Sequence, residues 1–158
     1  MQIGAEALTA LLLACAPAIH PTTGAAVVRH ESGGELWALG VNGGRVKPQP
    51  KSAAQAAAAA RIWIAQGVTV DLGLAQINSK TAVRLGLSIE EVLEPCRNLQ
   101  AMQQVLVENY RSGVAAKGTG QGALESALST YNTGHPTRGL SNGYVAKVLG
   151  QARREVDK

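Results

Sequence analysis

A long amphipathic segment begins at Pro95, and it constrains the fold more than any other part of the chain. From Pro95 to about residue 116, apolar residues recur at the three- and four-residue spacing that places them on one helix face: Leu99, Met102, Val105, Leu106 and Tyr110. Proline is favoured at the first position of a helix, and Gly118-Thr119-Gly120 ends the pattern. A helix with this apolar face must pack against other elements, so we expect it to form part of a core.

Most of the remaining chain also has helical patterning. It covers residues 4–14, 23–33, 53–66, 79–85, 88–93 and 121–130, and a last helix is expected to begin at Ser141. Residues 131–136 are expected to form a loop. Asn42-Gly43 is a hairpin signal and residues 68–74 are rich in β-forming residues, so a small β flap is also expected. We therefore predict one domain over residues 1–158, mainly α in an α+β arrangement.

The composition favours a carbohydrate partner over nucleic acid. The chain has 158 residues and a formal net charge of +4, from 15 basic and 11 acidic residues, which suits work near acidic polymers. Phenylalanine is absent, and no run of lysine and arginine interleaves with aromatic residues. Because single-stranded nucleic acids are bound largely by stacking on aromatic side chains, no nucleic-acid partner is expected.

The two cysteines, Cys15 and Cys96, each lie close to a proline. They could form one disulfide that closes a loop of about eighty residues, which would indicate an oxidising compartment, or they could remain two buried thiols. No spacing of cysteine and histidine suits a metal, so neither a metal nor a cofactor is expected.

Residues 7–19 form an apolar run that resembles the core of a secretory signal. However, residues 1–6 contain no lysine or arginine, and the run is too short to span a bilayer. A first core helix is the favoured interpretation. We therefore expect no membrane insertion, and an export signal that is absent from this sequence or has been removed.

Glu31 stands at the end of an apolar helical run, directly before Ser32-Gly33-Gly34. Glycine readily takes the left-handed backbone that ends a helix, so Glu31 is predicted in the last turn. The helix dipole is negative there, and burial in a cleft would further disfavour the anion. The sequence therefore predicts a neutral acid able to donate a proton, although such a glutamate, taken alone, is more often a surface residue.

A second carboxylate is expected if Glu31 belongs to a glycosidase of the usual kind. Glu35 follows the glycines and is interpreted as solvated, whereas Asp71 is interpreted as a cap or as the partner of an arginine. Neither is predicted to assist Glu31. This favours chemistry in which one glutamate donates a proton and later takes one back, while the substrate supplies its own nucleophile.

Three motifs in order resemble the motif series of soluble lytic transglycosylases: Glu31-Ser32, Gly73-Leu74-Ala75-Gln76-Ile77-Asn78 and Thr130-Tyr131-Asn132-Thr133-Gly134, followed by Tyr144 in a closing helix. These enzymes have a lysozyme-like fold and are similar to goose-type lysozyme. Residues 38–43, 70–74 and 95–99 most resemble the wall-degrading subunit of type IV secretion systems. The resemblance covers roughly residues 15–150 and implies a lysozyme-like fold here.

The resemblance also implies one catalytic residue, Glu31, and six residues of the substrate site: Ser32, Gln76, Asn78, Tyr131, Asn132 and Tyr144. Ser32 is expected to support the glutamate's turn, Gln76 and Asn78 to line the glycan groove, Tyr131 to hydrogen-bond Glu31, and Asn132 to hold the loop or the sugar. In the alternative interpretation, these residues have only structural roles: Gln76 and Asn78 form turns, and the two tyrosines fill the core. Ala75 stands where the family usually has methionine, so a shortened apolar groove contact is expected.

Members of this family cut the β-1,4 bond from N-acetylmuramic acid to N-acetylglucosamine without water and close a 1,6-anhydro ring. The resemblance therefore implies a periplasmic peptidoglycan lytic transglycosylase that opens the wall locally for a secretion or conjugation apparatus. Its implied partners are peptidoglycan strands and components of the type IV secretion system, and a monomer is expected. The alternatives are a hydrolytic muramidase of the phage endolysin type and a non-catalytic wall-binding scaffold module.

Overall fold

The computed structural model describes residues 1–157 and is built mainly from helices. The helices in that range are α1 (Ala5–Cys15), α2 (Pro21–Ser32), α3 (Ala53–Ala65), α4 (Ser79–Arg84), α5 (Ile89–Leu93), α6 (Pro95–Lys117), α7 (Gln121–Thr133), α8 (Arg138–Ser141) and α9 (Tyr144–Val156). The strands are β1 (Leu39–Val41), β2 (Gly44–Arg45), β3 (Asp71–Leu72) and β4 (Ile77–Asn78). The predicted mainly α architecture with a small β flap is confirmed.

Local capping explains where most helices begin. The hydroxyl of Ser52 accepts a hydrogen bond from the Gln55 amide at the start of α3, and Ser88 forms a reciprocal capping box with Glu91 at the start of α5. Pro21 occupies the first turn of α2, where its missing N–H is not needed. These helix starts agree with the prediction to within two residues.

The boundary of α7 differs from the prediction. Residues 131–133 belong to the last turn of α7 and are not a loop. The hydroxyls of Thr130 and Thr133 donate to carbonyls one turn earlier, and Gly134, with φ 72°, ends the helix. In addition, Ser141 ends the short helix α8, and the last helix begins at Tyr144.

The four strands form one antiparallel sheet in the order β2-β1-β3-β4. Asn42 and Gly43, both with positive φ (51° and 76°), turn the chain between β1 and β2 as the Asn-Gly signal predicted. The strand expected at residues 68–74 is confined to Asp71 and Leu72, because Gly73 (φ 76°) and Gln76 (φ 53°) reverse the chain into β4. This small sheet is the β flap that the sequence predicted.

Helix α6 contributes Leu99, Met102 and Leu106 to the buried core, as its apolar face predicted. It lies so close to α7 that a Cβ on Gly113 would stand 3.0 Å from the carbonyl oxygen of Ala123. Helix α9 packs against α2. The active-site candidates of α2 and α7 are therefore held by α6 and α9.

Cys15, at the end of α1, is bonded to Cys96, in the first turn of α6. Of the two alternatives left by the sequence, the disulfide is confirmed. Among residues 1–157, no helix combines the length and the apolar character needed to cross a membrane.

Candidate active site

A cavity of about 560 Å³ lies between the sheet and helices α2, α6 and α7. Its lining is His30, Glu31, Gly40, Gly43, Gly44, Arg45, Asp71, Gln76, Ile77, Asn78, Thr81, Val105, Tyr131 and Asn132. A second cavity of about 590 Å³ lies beside α6 and α7 and is largely apolar, without a carboxylate in its described lining. The first cavity therefore holds the carboxyl and amide groups, and it brings together five of the seven residues predicted for the site.

Glu31 occupies the last turn of α2, as predicted. Gly33 ends the helix in the left-handed conformation (φ 66°), and its N–H donates to the Arg29 carbonyl. The Ser32 hydroxyl donates to the Val28 carbonyl (3.1 Å) and accepts from the Gly34 amide (3.1 Å). Because Ser32 is fully buried, it supports this turn from within the core and does not contact a ligand in the cavity.

The pKa of Glu31 is raised from 4.5 to about 7. Burial is the largest cause, the charge of Asp71 acts in the same direction, and a hydrogen bond from Tyr144 opposes them. The direction of this pKa shift agrees with the prediction, and burial is its main cause. A group with a pKa close to 7 is suited both to donating a proton and to accepting one.

Tyr144, from α9, donates its hydroxyl proton to Oε1 of Glu31 at 2.9 Å. The ring of His30 packs edge-on against the Tyr144 ring at a centroid distance of 4.8 Å. An ion pair between Arg29 and Glu155 also joins α2 to α9. These contacts hold the carboxyl group of Glu31 in one orientation. Tyr144 itself does not line the cavity.

The hydrogen bond predicted between Tyr131 and Glu31 is wrong. The Tyr131 hydroxyl donates instead to the Ala75 carbonyl, at 2.6 Å, and a phenol has one proton to donate. Tyr131 still lies close enough to Glu31 to be affected by its charge. The pKa of Tyr131 is raised, first by burial and then by the charge of Glu31. The two tyrosines thus have different partners: Tyr144 bonds to the carboxyl group of Glu31, and Tyr131 bonds to the loop before β4.

Replacing Tyr144 with phenylalanine is expected to slow glycan cleavage by about tenfold, the usual effect of losing one hydrogen bond to a charged group. The ring would still pack against His30, so the fold should be retained. Since the lost bond lowers the pKa of Glu31, the alkaline limb of the kcat/KM profile should move to higher pH. An unchanged pH profile, measured on cell-wall sacculi, would contradict this role.

Asp71 also lines the cavity, which the sequence did not predict. Its Oδ1 accepts a hydrogen bond from the Asn78 side-chain amide across the β3–β4 pair, at 2.9 Å, and burial raises its pKa. The interpretation of Asp71 as a helix cap or an arginine partner is therefore wrong. Glu35, in contrast, binds the amino group of Met1 and lies outside the cavity. The signal for Asp71 was the turn at residues 73–76, which folds β4 back onto β3.

Gln76 and Asn78 line the cavity and also form turns, so both sequence interpretations describe part of their role. The Gln76 amide donates to the carbonyls of Ala38 (3.1 Å) and Gly73 (2.9 Å), while Asn78 caps α4 through the Lys80 amide. Gly40 is needed opposite them, since a Cβ there would lie 2.7 Å from Oε1 of Gln76. Both side-chain amides are thus held by hydrogen bonds to the protein.

Asn132 is exposed at the cavity wall, and its Oδ1 accepts a hydrogen bond from the Asn142 amide at 2.9 Å. This contact ties the end of α7 to the turn before α9, and the Asn132 side-chain NH₂ has no hydrogen-bond acceptor among residues 1–157. Of the two roles that the sequence left open, the contact with Asn142 supports holding the loop, and the contact with a sugar stays a prediction.

Asn98 supports the cavity from the core, a role that the sequence did not single out. Its amide donates to the carbonyls of Leu72 (2.9 Å) and Val92 (2.7 Å), and its Oδ1 accepts from the Ala75 amide (2.8 Å). The available signal was a polar residue inside the apolar face of α6. Ala75 is itself fully buried and does not line the cavity, so its methyl group makes no contact there, and the expected shortening of an apolar groove contact stays a prediction.

Because the pKa of Glu31 is raised, we expect the unfolding free energy to depend on pH. A carboxyl group with a higher pKa in the folded state stabilises the fold only while protonated, so this contribution disappears as pH rises from about 4.5 to about 7. Relative to Glu31→Gln, the wild type should therefore lose up to about 3 kcal/mol of unfolding free energy over that window. Urea unfolding at several pH values measures the difference, and a constant difference would contradict the burial of the charge.

Among residues 1–157, no group of three or more histidine, cysteine, aspartate or glutamate side chains is arranged to hold a metal ion.

Comparison with known proteins identifies the family. The Brucella abortus protein named type IV secretion system protein virB1 is 38% identical over 144 residues, covering 87% of this chain and 60% of that protein. The Agrobacterium fabrum protein virB1 is 35% identical over 142 residues, covering 90% of this chain and 58% of that protein. The chain thus spans about 60% of the length of these curated relatives, and no solved structure matches it.

The family model described as the transglycosylase SLT domain matches residues 11–150, which include every residue of the cavity lining. The helices and small sheet are the mainly α, lysozyme-like arrangement that the motif series implied. With most of its length matched, the chain belongs to the transglycosylase SLT domain family.

Proposed function

We propose that this protein is a peptidoglycan lytic transglycosylase in which Glu31 acts first as the acid and then as the base. The observation that carries the proposal is a partly buried glutamate with a pKa of about 7, held by Tyr144 at the wall of a polar cavity. Membership of the transglycosylase family supports the same chemistry.

In the first step, protonated Glu31 donates its proton to the glycosidic oxygen as the bond from that oxygen to C1 of N-acetylmuramic acid breaks. In the second step, the ionised Glu31 removes the proton of the C6 hydroxyl, and O6 bonds to C1. The ring is closed, the glutamic acid is regenerated and no water is consumed. One carboxyl group therefore suffices for both proton transfers.

The surrounding residues have supporting roles in this proposal. The charge of Asp71 stabilises the positive charge that develops at C1, because the attraction between opposite charges is stronger at a partly buried carboxylate than in bulk water. Gln76, Asn78 and Asn132 offer side-chain amides that suit the acetamido and hydroxyl groups of the sugars. Gln76 would accept through its Oε1, because its two N–H groups already bond to the carbonyls of Ala38 and Gly73, whereas Asn78 and Asn132 would also donate.

A hydrolytic muramidase is the second candidate, and the presence of Asp71 in the cavity is the observation that favours it. Hydrolysis needs a carboxylate on the far side of the sugar, either to activate water or to act as a nucleophile. The sequence alone did not predict such a partner for Glu31, so Asp71 makes this alternative stronger than it was.

Digestion of peptidoglycan in oxygen-18 labelled water separates the candidates. The proposal expects unlabelled anhydro products, each lacking one water by mass spectrometry. Labelled reducing ends would overturn it in favour of hydrolysis, and an absence of products would favour a scaffold module. Asp71→Asn should lower the yield of anhydro products without changing their identity, whereas in a muramidase it should abolish the labelled products.

We also propose that residues 1–158 act as one periplasmic domain, as a monomer that opens the wall for a type IV secretion or conjugation apparatus. The Cys15–Cys96 disulfide supports an oxidising compartment, and the names of the Brucella and Agrobacterium relatives support the secretion context. Complementation of a secretion-deficient strain, with Glu31→Gln as the inactive control, tests the context.

A further inference from the structure

Arg45 brings a cation to the cavity that none of the chemistry above uses. It lies on β2, paired with Gly40 of β1, and it lines the cavity. Its guanidinium reaches back over the end of α2, since a Cβ on Gly33 would stand 3.6 Å from one guanidinium nitrogen. Gly43 and Gly44 precede it without side chains, and a Cβ on Gly43 would meet open space, so a ligand can approach Arg45 from the cavity.

The charge of Arg45 is not committed to the protein itself. No carboxylate in residues 1–157 accepts a hydrogen bond or forms an ion pair with it. Nor does it act on the catalytic acid: burial, Tyr144 and Asp71 account for the shifted pKa of Glu31. Arg45 therefore remains available to a ligand.

The other ionisable residues of the described lining do not attract an anion, so Arg45 is the group that can select an anionic ligand. Its two carboxyl groups, Glu31 and Asp71, repel an anionic ligand when ionised. His30 has its pKa lowered by burial and by Lys147, so it is neutral near pH 7. Among the described lining residues, Arg45 is the permanently charged cation, and an anionic group of a substrate is attracted to the flap end of the cavity.

We propose that Arg45 binds a carboxylate carried by the lactyl substituent of N-acetylmuramic acid, and so selects wall glycan over neutral glycans. This inference rests on the proposed function. The sugar rings of such strands are uncharged, whereas each muramic residue bears either a free lactyl carboxylate or a stem peptide with carboxylates. A guanidinium binds a carboxylate through two parallel hydrogen bonds, which fixes orientation as well as charge.

Binding of three glycans of matched length to Glu31→Gln tests this proposal by calorimetry. Chitohexaose carries no carboxylate, peptide-free wall fragments carry the lactyl carboxylate, and peptide-bearing fragments carry stem-peptide carboxylates. Adding Arg45→Gln should weaken binding of the carboxylate-bearing glycans by about tenfold and change chitohexaose binding by less than about twofold. Loss with only one wall fragment identifies which carboxylate is bound.

Lys51→Gln is the matched control, because it removes one positive charge from the loop after the flap, outside the cavity. Equal losses with Arg45→Gln and Lys51→Gln, equal losses on all three glycans, or no loss would each overturn the proposal. Arg45→Lys should restore part of the affinity. If no glycan binds to the parent variant, the proposed function fails as well, whereas chitohexaose binding without an Arg45 effect removes this inference alone.

Discussion

Glu31→Gln is expected to reduce glycan cleavage by at least about a thousandfold, because both proton transfers depend on this one carboxyl group. Glutamine has the same shape and can still accept the hydrogen bond from Tyr144, so the cavity should keep its geometry. The variant should also fold at least as well as the wild type at neutral pH, since it no longer buries a titrating carboxyl group. Release of soluble muropeptides from sacculi measures the loss.

Glu35→Gln provides the control for this experiment. Glu35 lies four residues after Glu31, but it binds the amino group of Met1 and stands outside the cavity. Its replacement should leave the cleavage rate within about twofold, because surface ion pairs contribute little. Cleavage by Glu31→Gln at more than about a tenth of the wild-type rate would remove Glu31 from the mechanism.

The helices could be predicted from the sequence because their limits are set by neighbouring residues. Ser52, Ser88 and Pro95 each mark a helix start through contacts within one turn. The end of α7 was placed three residues too early because Asn, Thr and Gly also favour loops. There the hydroxyls of Thr130 and Thr133 bond back into the helix, which the composition of the segment does not reveal.

The position of Glu31 was also predictable, since the glycine that ends α2 is nearby in sequence, and the direction of its pKa shift followed from the expectation that it faces a cleft. The partners of Glu31 were not. Tyr144 reaches it across 113 residues because α9 packs on α2, and Asp71 enters the cavity only through the pairing of β3 with β1 and β4. Helical and strand periodicity fixes which residues share a face, but it does not fix which faces meet. The hydrogen bond to Glu31 was therefore assigned to Tyr131, although Tyr144 donates it.

Removing the disulfide is expected to have the largest effect on stability. Cys15 and Cys96 are 81 residues apart, and a cross-link over a loop of that length stabilises the fold by about 4 kcal/mol in the chain-entropy model. The unfolding free energy of the double variant Cys15→Ala with Cys96→Ala, measured by urea unfolding, should therefore be lower than that of the wild type by that amount. Alanine is preferred to serine because Cys15 is buried and a hydroxyl there would need a partner.

Reduction of the wild type provides an independent measurement of the same quantity. Reduced wild type and the double alanine variant should unfold at similar urea concentrations, and a difference from the oxidised protein below about 1 kcal/mol would contradict the entropic role. The bond joins α1 to the first turn of α6, and neither cysteine lines the cavity. The folded double variant should accordingly keep the KM of the wild type at temperatures well below its unfolding transition. Loss of activity in a reducing medium would then report unfolding of the domain, because the catalytic groups themselves do not depend on the bond.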